Sequence, residues 1–496
     1  MNPPAGRAAG GAVPRQSLVA YGALGLPLAF AALPIYVHVP RLYAEGVGLS
    51  LALVGAVLLA ARIVDAVTDP LIGWANDRLP RRRLWVALAL PALALGMLGL
   101  LIPPEGAGAL WLFALLVGVS LAYSVATIAY NAWGAEVADT PDARTRFVAS
   151  REAFALVGVV LAAALPGVLA AGAGEAAGLA RLAWVFLPLL AGFGLWTLLR
   201  APVPSPRPGR AAPVWRGLIA VLRAPAFACL LAVFAANGIA AAIPSATVLF
   251  FVADVLQAES LAGGFLALYF FAAAASLPLW VRVSRRVGKL RAWLAGMVLA
   301  VAVFAWAGLL GSGDVFAYAL ICVLSGVALG ADLSLPPSLL ADLIARSHGR
   351  AALPVVAPVG TGAEGEGAGA ACGAVEEGKD GRGGAHATCG VQGQADTRCE
   401  SLPAGACFGW WNFVTKANLA LAAGLALPLL ALLGYAPGAR DAAAVSALAR
   451  VYGFAPLALK LGAIVLLWRW RHAIEPGYSQ AGPFPRLRRA TADELE

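Results

Sequence analysis

Charged residues are scarce in this chain. Asp, Glu, Lys and Arg make up 13% of its 496 residues, whereas 60% are hydrophobic and the mean hydropathy is +0.79. This composition excludes an ordinary soluble protein and predicts an integral membrane protein. The net charge of +9 therefore matters for where the basic residues lie relative to a bilayer, and we expect no nucleic-acid partner.

Several motifs are also absent. The chain has no G-x-x-x-x-G-K-[ST] loop, so ATP hydrolysis is not the expected energy source. Its four histidines, His38, His348, His386 and His472, are dispersed, which disfavours an enzyme acting on lipid-linked substrates. No cysteine pair has the C-x-x-C spacing typical of zinc sites. We expect no catalytic residue, no metal and no organic cofactor.

Apolar runs long enough to cross a bilayer occur twelve times, taking about 20 residues for one crossing. No small-residue cleavage site follows the first run, so we expect it to be retained as a helix. The predicted spans are 17–39, 48–73, 84–103, 109–133, 148–171, 182–199, 227–253, 262–283, 292–312, 315–343, 410–434 and 443–468.

Basic residues are concentrated in alternate loops, at 78–83, 144–146, 200–216 and 282–291, and the loops between them carry few. Because cytoplasmic loops are enriched in Lys and Arg, both termini are predicted to be cytoplasmic. We expect a multi-pass protein of the inner (plasma) membrane.

A Pro-rich, basic stretch at 200–222 predicts a cytoplasmic linker between two six-helix halves. The first half covers 1–199, and the second covers 223–345 and 409–472, followed by a cytoplasmic tail at 473–496. GWANDRLPRRR in one half corresponds to WVRVSRRVGKLR in the other. An all-α membrane fold of two pseudo-symmetric six-helix halves is typical of major facilitator transporters.

Residues 346–408 form a Gly- and Ala-rich insertion in a cytoplasmic loop, which we predict to be disordered. It contains Cys372, Cys389, Cys399, Cys407 and His386. A solvated linker with incidental cysteines is the favoured interpretation, and a metal site or redox sensor is the alternative.

The second span carries three ionisable residues, Arg62, Asp65 and Asp69, at a depth where each charge costs at least a few kcal/mol. Steps of three and four place them on one helix face, where Arg62 can pair with Asp65. Two close carboxylates repel, so either one is protonated or a cation lies between them. Na⁺ and Li⁺ favour such oxygen ligands. Alternatively, the three groups only neutralise one another and hold helices together.

Other polar residues at membrane depth outline a candidate substrate pocket between the halves. Asp332 and Lys416 are full charges, and we expect a pair between the tenth and eleventh helices. For each single Tyr or Asn, a helix–helix hydrogen bond or an interfacial anchor is an equal alternative. The candidate substrate-binding residues are Tyr21, Thr127, Tyr130, Asn131, Arg151, Asn237, Asp332 and Asn412.

The turn GWANDRLPRRR resembles the major facilitator loop motif G-x-x-x-D-R-x-x-x-[RK]. Gly73 permits close helix contact, and Asp77 can pair with an arginine or cap a neighbouring helix. Gly73, Asp77 and Arg78 are therefore candidate gating residues that do not bind substrate.

The runs YGALGLPLAF, LYAEGVGLSLALVGAVLLAARIVDAVTDPLIGWANDR and FGWWNFVTK resemble the glycoside–pentoside–hexuronide:cation symporter family. RIVDAVTDPLIGW matches the family's R-x-x-D-(x)3-D-P-(x)2-G motif. The resemblance implies that Asp65, Asp69 and Ser124 bind the coupling cation. It also places Arg151 and Lys416 at the family's fifth-helix arginine and eleventh-helix lysine beside the cation and sugar sites.

Two positions depart from that family. Its melibiose carrier reads sugar with first-helix and fourth-helix aspartates, and the aligned positions here are Ala29 and Thr127. A site built on those acids tolerates their loss poorly. Sugar is therefore only a family-level expectation, and an amphipathic solute such as a lysolipid is an alternative.

Together these features predict a secondary active transporter, a monomer in the bilayer whose other partners are a small solute and a coupling cation, Na⁺ or H⁺. Symport of a sugar-like or other small organic solute by alternating access is the leading hypothesis. An H⁺-coupled exporter and a non-transporting membrane sensor are the alternatives.

Overall fold

A computed structural model describes residues 13–170, 174–203, 213–351, 401–435 and 441–475. In these ranges the chain is helical, with no strand. The helices are α1 (Arg15–Gly22), α2 (Gly25–Arg41), α3 (Leu51–Arg78), α4 (Arg82–Leu101), α5 (Ala109–Val137), α6 (Pro141–Ala170), α7 (Glu175–Arg200), α8 (Val214–Arg223), α9 (Pro225–Phe250), α10 (Ala262–Val287), α11 (Lys289–Ala307), α12 (Val315–Ala351), α13 (Ala404–Leu432), α14 (Ala442–Arg469) and α15 (Arg471–Ile474).

Twelve crossings can be traced through the described helices, and α1 with α2 forms the first. By length and composition, ten segments of the described chain could cross a membrane. The other two crossings are α3, which carries the three ionisable residues, and α13. The predicted second, fourth, fifth and eleventh spans correspond to α3, α5, α6 and α13. The chain is therefore a multi-pass membrane protein.

The two halves share a local feature at the end of their first crossing. Short π-helical turns, Leu42–Gly46 and Phe251–Val255, extend the first crossing of each half. This correspondence agrees with the repeated halves expected of a major facilitator fold.

Two predicted boundaries differ from the structure. The insertion was expected to begin at 346, but α12 continues to Ala351, and Arg346 Nη2 donates to the carbonyl oxygen of Ile474 at 2.9 Å. It was expected to end at 408, but α13 begins at Ala404 and buries Cys407. Long-range contacts of this kind override a Gly-rich composition. The other insertion cysteines and His386 lie outside the described residues.

The predicted linker also contains structure. After Pro213 the chain forms α8, in which Trp215 is exposed and Leu218 is buried. Residues 204–212 of the linker and 476–496 of the predicted tail lie outside the described residues.

We call the end of the bundle where α1 begins and α15 ends the terminal side. Buried apolar clusters containing residues of both halves lie there and at mid-bundle: Ile128 and Ala132 of α5 cluster with Leu335 of α12, and Leu156 of α6 clusters with Leu277 of α10. Towards the opposite side, the apolar clusters of the described residues are separate for each half. The halves are therefore closed together on the terminal side.

Candidate functional site

A cluster of buried charges lies between the two halves, where α3 meets α13. Asp65 is 3% exposed and Asp69 is fully buried. Lys416 Nζ lies 2.6 Å from Asp65 Oδ1 and 2.9 Å from Asp69 Oδ2. One ammonium group thus lies between two carboxylates of the other half.

Two further side chains complete this cluster. Lys416 Nζ donates to Ser124 Oγ of α5 at 2.7 Å, and Ser124 Oγ lies 3.2 Å from Asp65 Oδ1. Asn412 Nδ2, one turn before Lys416 on α13, donates to Asp69 Oδ2 at 2.8 Å. The cluster therefore joins α3, α5 and α13 through charge-assisted hydrogen bonds, which are stronger than neutral ones.

Glycines bring α3 and α13 close enough for these contacts. A Cβ atom added at Gly409 would lie 2.8 Å from the carbonyl oxygen of Asp69, and one added at Gly73 would collide with the backbone of Gly405. Small residues at a helix crossing let the backbones approach closely. The predicted close-contact role of Gly73 therefore has a definite partner in the other half.

The ion pairs differ from those expected from the sequence. Asp65 and Asp69 form ion pairs with Lys416 of the other half, at 2.6 and 2.9 Å, a partner that the sequence analysis did not give them. The expected pair of Lys416 with Asp332 is wrong. Asp332 Oδ2 instead lies 2.7 Å from Lys460 Nζ of α14, and Trp293 Nε1 donates to Asp332 Oδ1 at 2.9 Å.

Lys460 is a residue that the sequence reasoning missed. It is buried, with 4% exposure, inside the apolar α14 helix. A lysine at this depth was the available signal, because intramembrane charges are rare and usually paired.

A second polar cluster lies in the first half, on α5 and α6. Arg151 Nε donates to Glu152 Oε1 at 2.9 Å, and Arg151 Nη1 also donates to Asn131 Oδ1. Beside it, Tyr21 Oη donates to the carbonyl oxygen of Tyr130 at 2.9 Å, and Tyr130 Oη donates to that of Tyr21. The structure thus brings together four predicted substrate residues and adds Glu152.

The remaining predicted substrate residues are spread over several helices. Thr127 Oγ1 and Asn237 Oδ1 are buried and have no hydrogen-bond partner among the described residues. Asn412 belongs to the charge cluster, and Asp332 belongs to the pair with Lys460. Ala29 is half-buried on α2.

Asp77 joins the halves at the terminal side. Its Oδ1 and Oδ2 accept hydrogen bonds from the backbone N–H groups of Gly405 at 2.7 Å and Ala406 at 2.6 Å, in the first turn of α13. Arg82 Nη2 lies 2.9 Å from Asp77 Oδ1 and 2.6 Å from Glu136 Oε1. Asp77 therefore both pairs with an arginine and caps a helix.

Other contacts across the terminal side are ionic. Asp342 of α12 forms an ion pair with Arg144 Nη1 of α6, in the other half, at 3.0 Å. Its second ion pair, at 2.5 Å, is with Lys289 Nζ of α11 in its own half. Arg285 of α10 pairs with Asp142 of α6, where both side chains are exposed. Arg78, the third predicted gating residue, lies over the Trp74 ring at 4.2 Å from its centroid.

The described residues contain no group of three or more His, Cys, Asp or Glu side chains that could hold a metal ion. The buried charges are instead matched by lysine and arginine.

A twelve-crossing helical bundle in two repeated halves, with buried ion pairs where the halves meet, defines a major facilitator transporter. The family model described as MFS/sugar transport protein matches residues 18–351, and the chain belongs to this family. It is a secondary transporter of the major facilitator superfamily and not an enzyme.

Solved structures share the fold. The E. coli fucose:proton symporter FucP is 10% identical with a TM-score of 0.59, covering 92% of this chain and 97% of its own. The human organic anion transporter MFSD10 is 17% identical with a TM-score of 0.57, and the coverage is 92% and 100%. A bacterial homologue of the iron transporter ferroportin, in an outward-facing state, is 16% identical with a TM-score of 0.57 and the same coverage. Identities this low support the fold alone.

Proposed function

We propose that this transporter is a cation-coupled symporter of a sugar-like or other small organic solute. The observation that carries the proposal is the placement of Lys416 Nζ within 3 Å of Asp65, Asp69 and Ser124, between the halves. Three oxygen-bearing side chains already surround one positive charge at the centre of the bundle. Intramembrane carboxylates in such positions mark ion pathways.

The coupling ion competes with Lys416 in this proposal. A Na⁺ ion that enters between the carboxylates takes the place of the ammonium group, because carboxylate and hydroxyl oxygens suit a hard cation. A proton would instead neutralise one carboxylate and release the ammonium group from it.

This exchange links ion binding to the movement of the halves. Lys416 and Asn412 belong to α13 of the second half, whereas Asp65, Asp69 and Ser124 belong to the first. Displacing Lys416 removes contacts between the halves and changes the balance between closed and open states. A ligand shifts a conformational equilibrium only through such differential contacts.

Family membership supports a sugar-like solute, since the matching family is described as MFS/sugar transport protein. The polar cluster of Arg151, Glu152 and Asn131 supplies hydrogen-bonding groups in the first half. The experiment below includes a lysolipid to test the amphipathic alternative.

The orientation follows from the basic loops. Arg78, Arg144 and Arg285 lie on the terminal side, and the positive-inside rule assigns that side to the cytoplasm of the inner (plasma) membrane. The terminal-side closure then corresponds to an outward-facing state of a monomer.

Transport in proteoliposomes tests the coupling. The purified protein is given an inward Na⁺ gradient, an inward H⁺ gradient or none, with labelled D-xylose, methyl galactoside or lysophosphatidylcholine as solute. We expect accumulation with one gradient, and its loss in Asp65→Asn and Asp69→Asn.

Glu259→Gln is the matched control, since it removes an exposed carboxylate and should leave accumulation intact. Undiminished concentrative uptake in both aspartate variants would overturn the proposal. Uptake that requires neither gradient would do so as well.

A further inference from the structure

We infer that Glu152 is a solute-recognition residue. Its free carboxylate oxygen accepts a hydrogen bond from a neutral hydroxylated solute, and the Thr127 hydroxyl forms a second hydrogen bond with the same solute. The inference rests on the proposed transport function. It adds Glu152 to the residues that determine which solute is accepted and gives Thr127, already a candidate substrate residue, a defined hydrogen-bonding role.

Glu152 lies on the side of α6 between the face that packs on α2 and the face that packs on α10. Ala149 and Leu156 of the same helix cluster with α10 of the other half. Gly158 lies against the backbone of Leu26 on α2, and the exposed Val157 marks the outer face. At 3.6 residues per turn, position 152 falls between the α10-facing and α2-facing sides, away from Val157. Glu152 is therefore directed towards the space between the halves.

Arg151 fixes the carboxylate without saturating it. Arg151 Nε and Nη2 both donate to Glu152 Oε1, and Arg151 Nη1 donates to Asn131 Oδ1. Glu152 Oε2 accepts no hydrogen bond from the described residues. A carboxylate held in place with one oxygen unused is a preorganised acceptor, since little side-chain freedom remains to be lost on binding.

Thr127 supplies a second unused group. Its hydroxyl is buried and has no partner among the described residues. By contrast, Thr247 and Thr415 donate to the carbonyl oxygens four residues earlier, at 2.9 Å. A buried hydroxyl without a partner costs free energy, so an arriving solute hydroxyl that bonds to it gains affinity.

One face of α5 carries Thr127 together with a residue of the Lys416 cluster and a residue bonded to Arg151. Ser124, Thr127 and Asn131 are spaced by three and four residues and so share a face. Ser124 belongs to the charge cluster with Lys416, and Asn131 is bonded to Arg151. Thr127 therefore lies between the proposed ion site and Glu152. A solute bound to Thr127 would contact the ion site on one side and Glu152 on the other.

The charge of the site favours a neutral solute. Arg151 and Glu152 neutralise each other, and the nearby Tyr21 and Tyr130 hydroxyls are already bonded to backbone. An acidic sugar would bring its own carboxylate towards Glu152 Oε2, and like charges in a site of low dielectric repel strongly. A neutral polyol or glycoside donates hydroxyl hydrogens to that oxygen without this cost.

Ligand-induced thermal stabilisation of the full chain in detergent tests the inference, because a ligand of the folded state raises the midpoint temperature. The probes are D-glucose, D-xylose, sorbitol and methyl galactoside, with D-glucuronate as the charged counterpart. We expect at least one neutral probe to stabilise the wild type more than D-glucuronate does. Glu152→Gln and Thr127→Val should each raise the dissociation constant of that probe about tenfold.

Glu259→Gln should leave it unchanged. Thr127→Val keeps the Arg151–Glu152 pair and so remains informative if Glu152→Gln folds poorly. Unchanged affinity in a folded Glu152→Gln protein would overturn the inference, as would unchanged affinity in Thr127→Val, equal stabilisation by D-glucuronate or stabilisation by none of the probes.

Stabilisation by Na⁺, measured in the same assay, separates this inference from the proposed function. Loss of solute affinity in Glu152→Gln with unchanged Na⁺ stabilisation supports a solute role. Loss of Na⁺ stabilisation in that variant would instead assign Glu152 to the ion site and overturn the inference. Cation-independent transport would overturn the coupling while leaving the solute measurements valid.

Discussion

Lys416 of α13 lies 2.6 Å from Asp65 of α3, and this ion pair joins the two halves of the transporter within the membrane-spanning part of the bundle. The same ammonium group reaches Asp69 and Ser124. Its position explains how two carboxylates one helical turn apart can be buried together, since an opposite charge between them offsets their repulsion.

Replacing Lys416 by Gln should destabilise the protein and make its stability depend strongly on Na⁺. Removing one partner of a buried ion pair costs about 3 to 5 kcal/mol, because a charge is left uncompensated. Thermal unfolding with and without Na⁺ at constant ionic strength measures both effects.

Lys460→Gln is the matched control, because it breaks the pair with Asp332 in the second half. Na⁺ should not restore the stability that the Lys460→Gln variant loses. Equal Na⁺ responses in the two variants would contradict a competition between the ion and Lys416.

Adding a methyl group at Gly409 should separate α3 from α13. The new Cβ atom would lie 2.8 Å from the carbonyl oxygen of Asp69, so the backbones must move apart and the contact of Asn412 with Asp69 must lengthen. Overpacking of this kind costs about 1 to 3 kcal/mol. We expect reduced Na⁺ stabilisation and a lower unfolding temperature in Gly409→Ala.

Gly55→Ala serves as its control on α3, because a Cβ atom there meets nothing within 4 Å. In a helix interior Ala is favoured over Gly by about 1 kcal/mol, so this variant should be no less stable than the wild type. A Gly409→Ala protein with wild-type Na⁺ stabilisation would argue against tight helix approach as a requirement for the site.

Asp342→Asn should open the terminal side. It removes the shared partner of Arg144 and Lys289 and leaves two positive charges facing each other. We expect a cysteine introduced at Ser338, which hydrogen-bonds to Thr145 across the halves, to react faster with a soluble maleimide applied from the terminal side.

Asp142→Asn is the comparison, because its pair with Arg285 is exposed. Exposed pairs contribute at most about 1 kcal/mol. Labelling that increases equally in both variants would show that burial of the Asp342 pairs has no special role in closure.

Asp77→Asn should weaken the same closure through the start of α13. The two carboxylate oxygens of Asp77 each accept a hydrogen bond from a backbone N–H group. An asparagine side chain has only one acceptor oxygen. Loss of a helix cap costs about 0.5 to 2 kcal/mol. The Ser338 labelling assay should again show faster modification, and an unchanged rate would remove Asp77 from the gate.

Much of the helical architecture could be read from the sequence, because membrane spans are specified locally by length and hydropathy. The one-face arrangement of Arg62, Asp65 and Asp69 likewise follows from helical periodicity. The boundary at Cys407 could not be read, because the start of α13 depends on Asp77, more than 300 positions earlier in the chain. The composition of a segment does not show which distant residue caps a helix that begins in it.

The charge partners show the same limit. Asp332 and Lys416 were each recognised as significant charges, yet they were paired wrongly, and Lys460 was overlooked. Glu152 was also passed over beside Arg151, since adjacent positions on a helix point in different directions. Only packing determines which of several buried charges meet.

By itself the sequence determined that the chain spans a membrane in two similar halves, and that two acids and an arginine share one face of the second crossing. Hydropathy and helical periodicity are local properties, because they depend only on residues close together in the sequence. Tertiary structure alone decided that Lys416 lies between Asp65 and Asp69, that Lys460 pairs with Asp332, and that the halves close on the terminal side. These outcomes depend on how helices far apart in the chain approach one another, which at α3 and α13 is permitted by Gly73, Gly405 and Gly409.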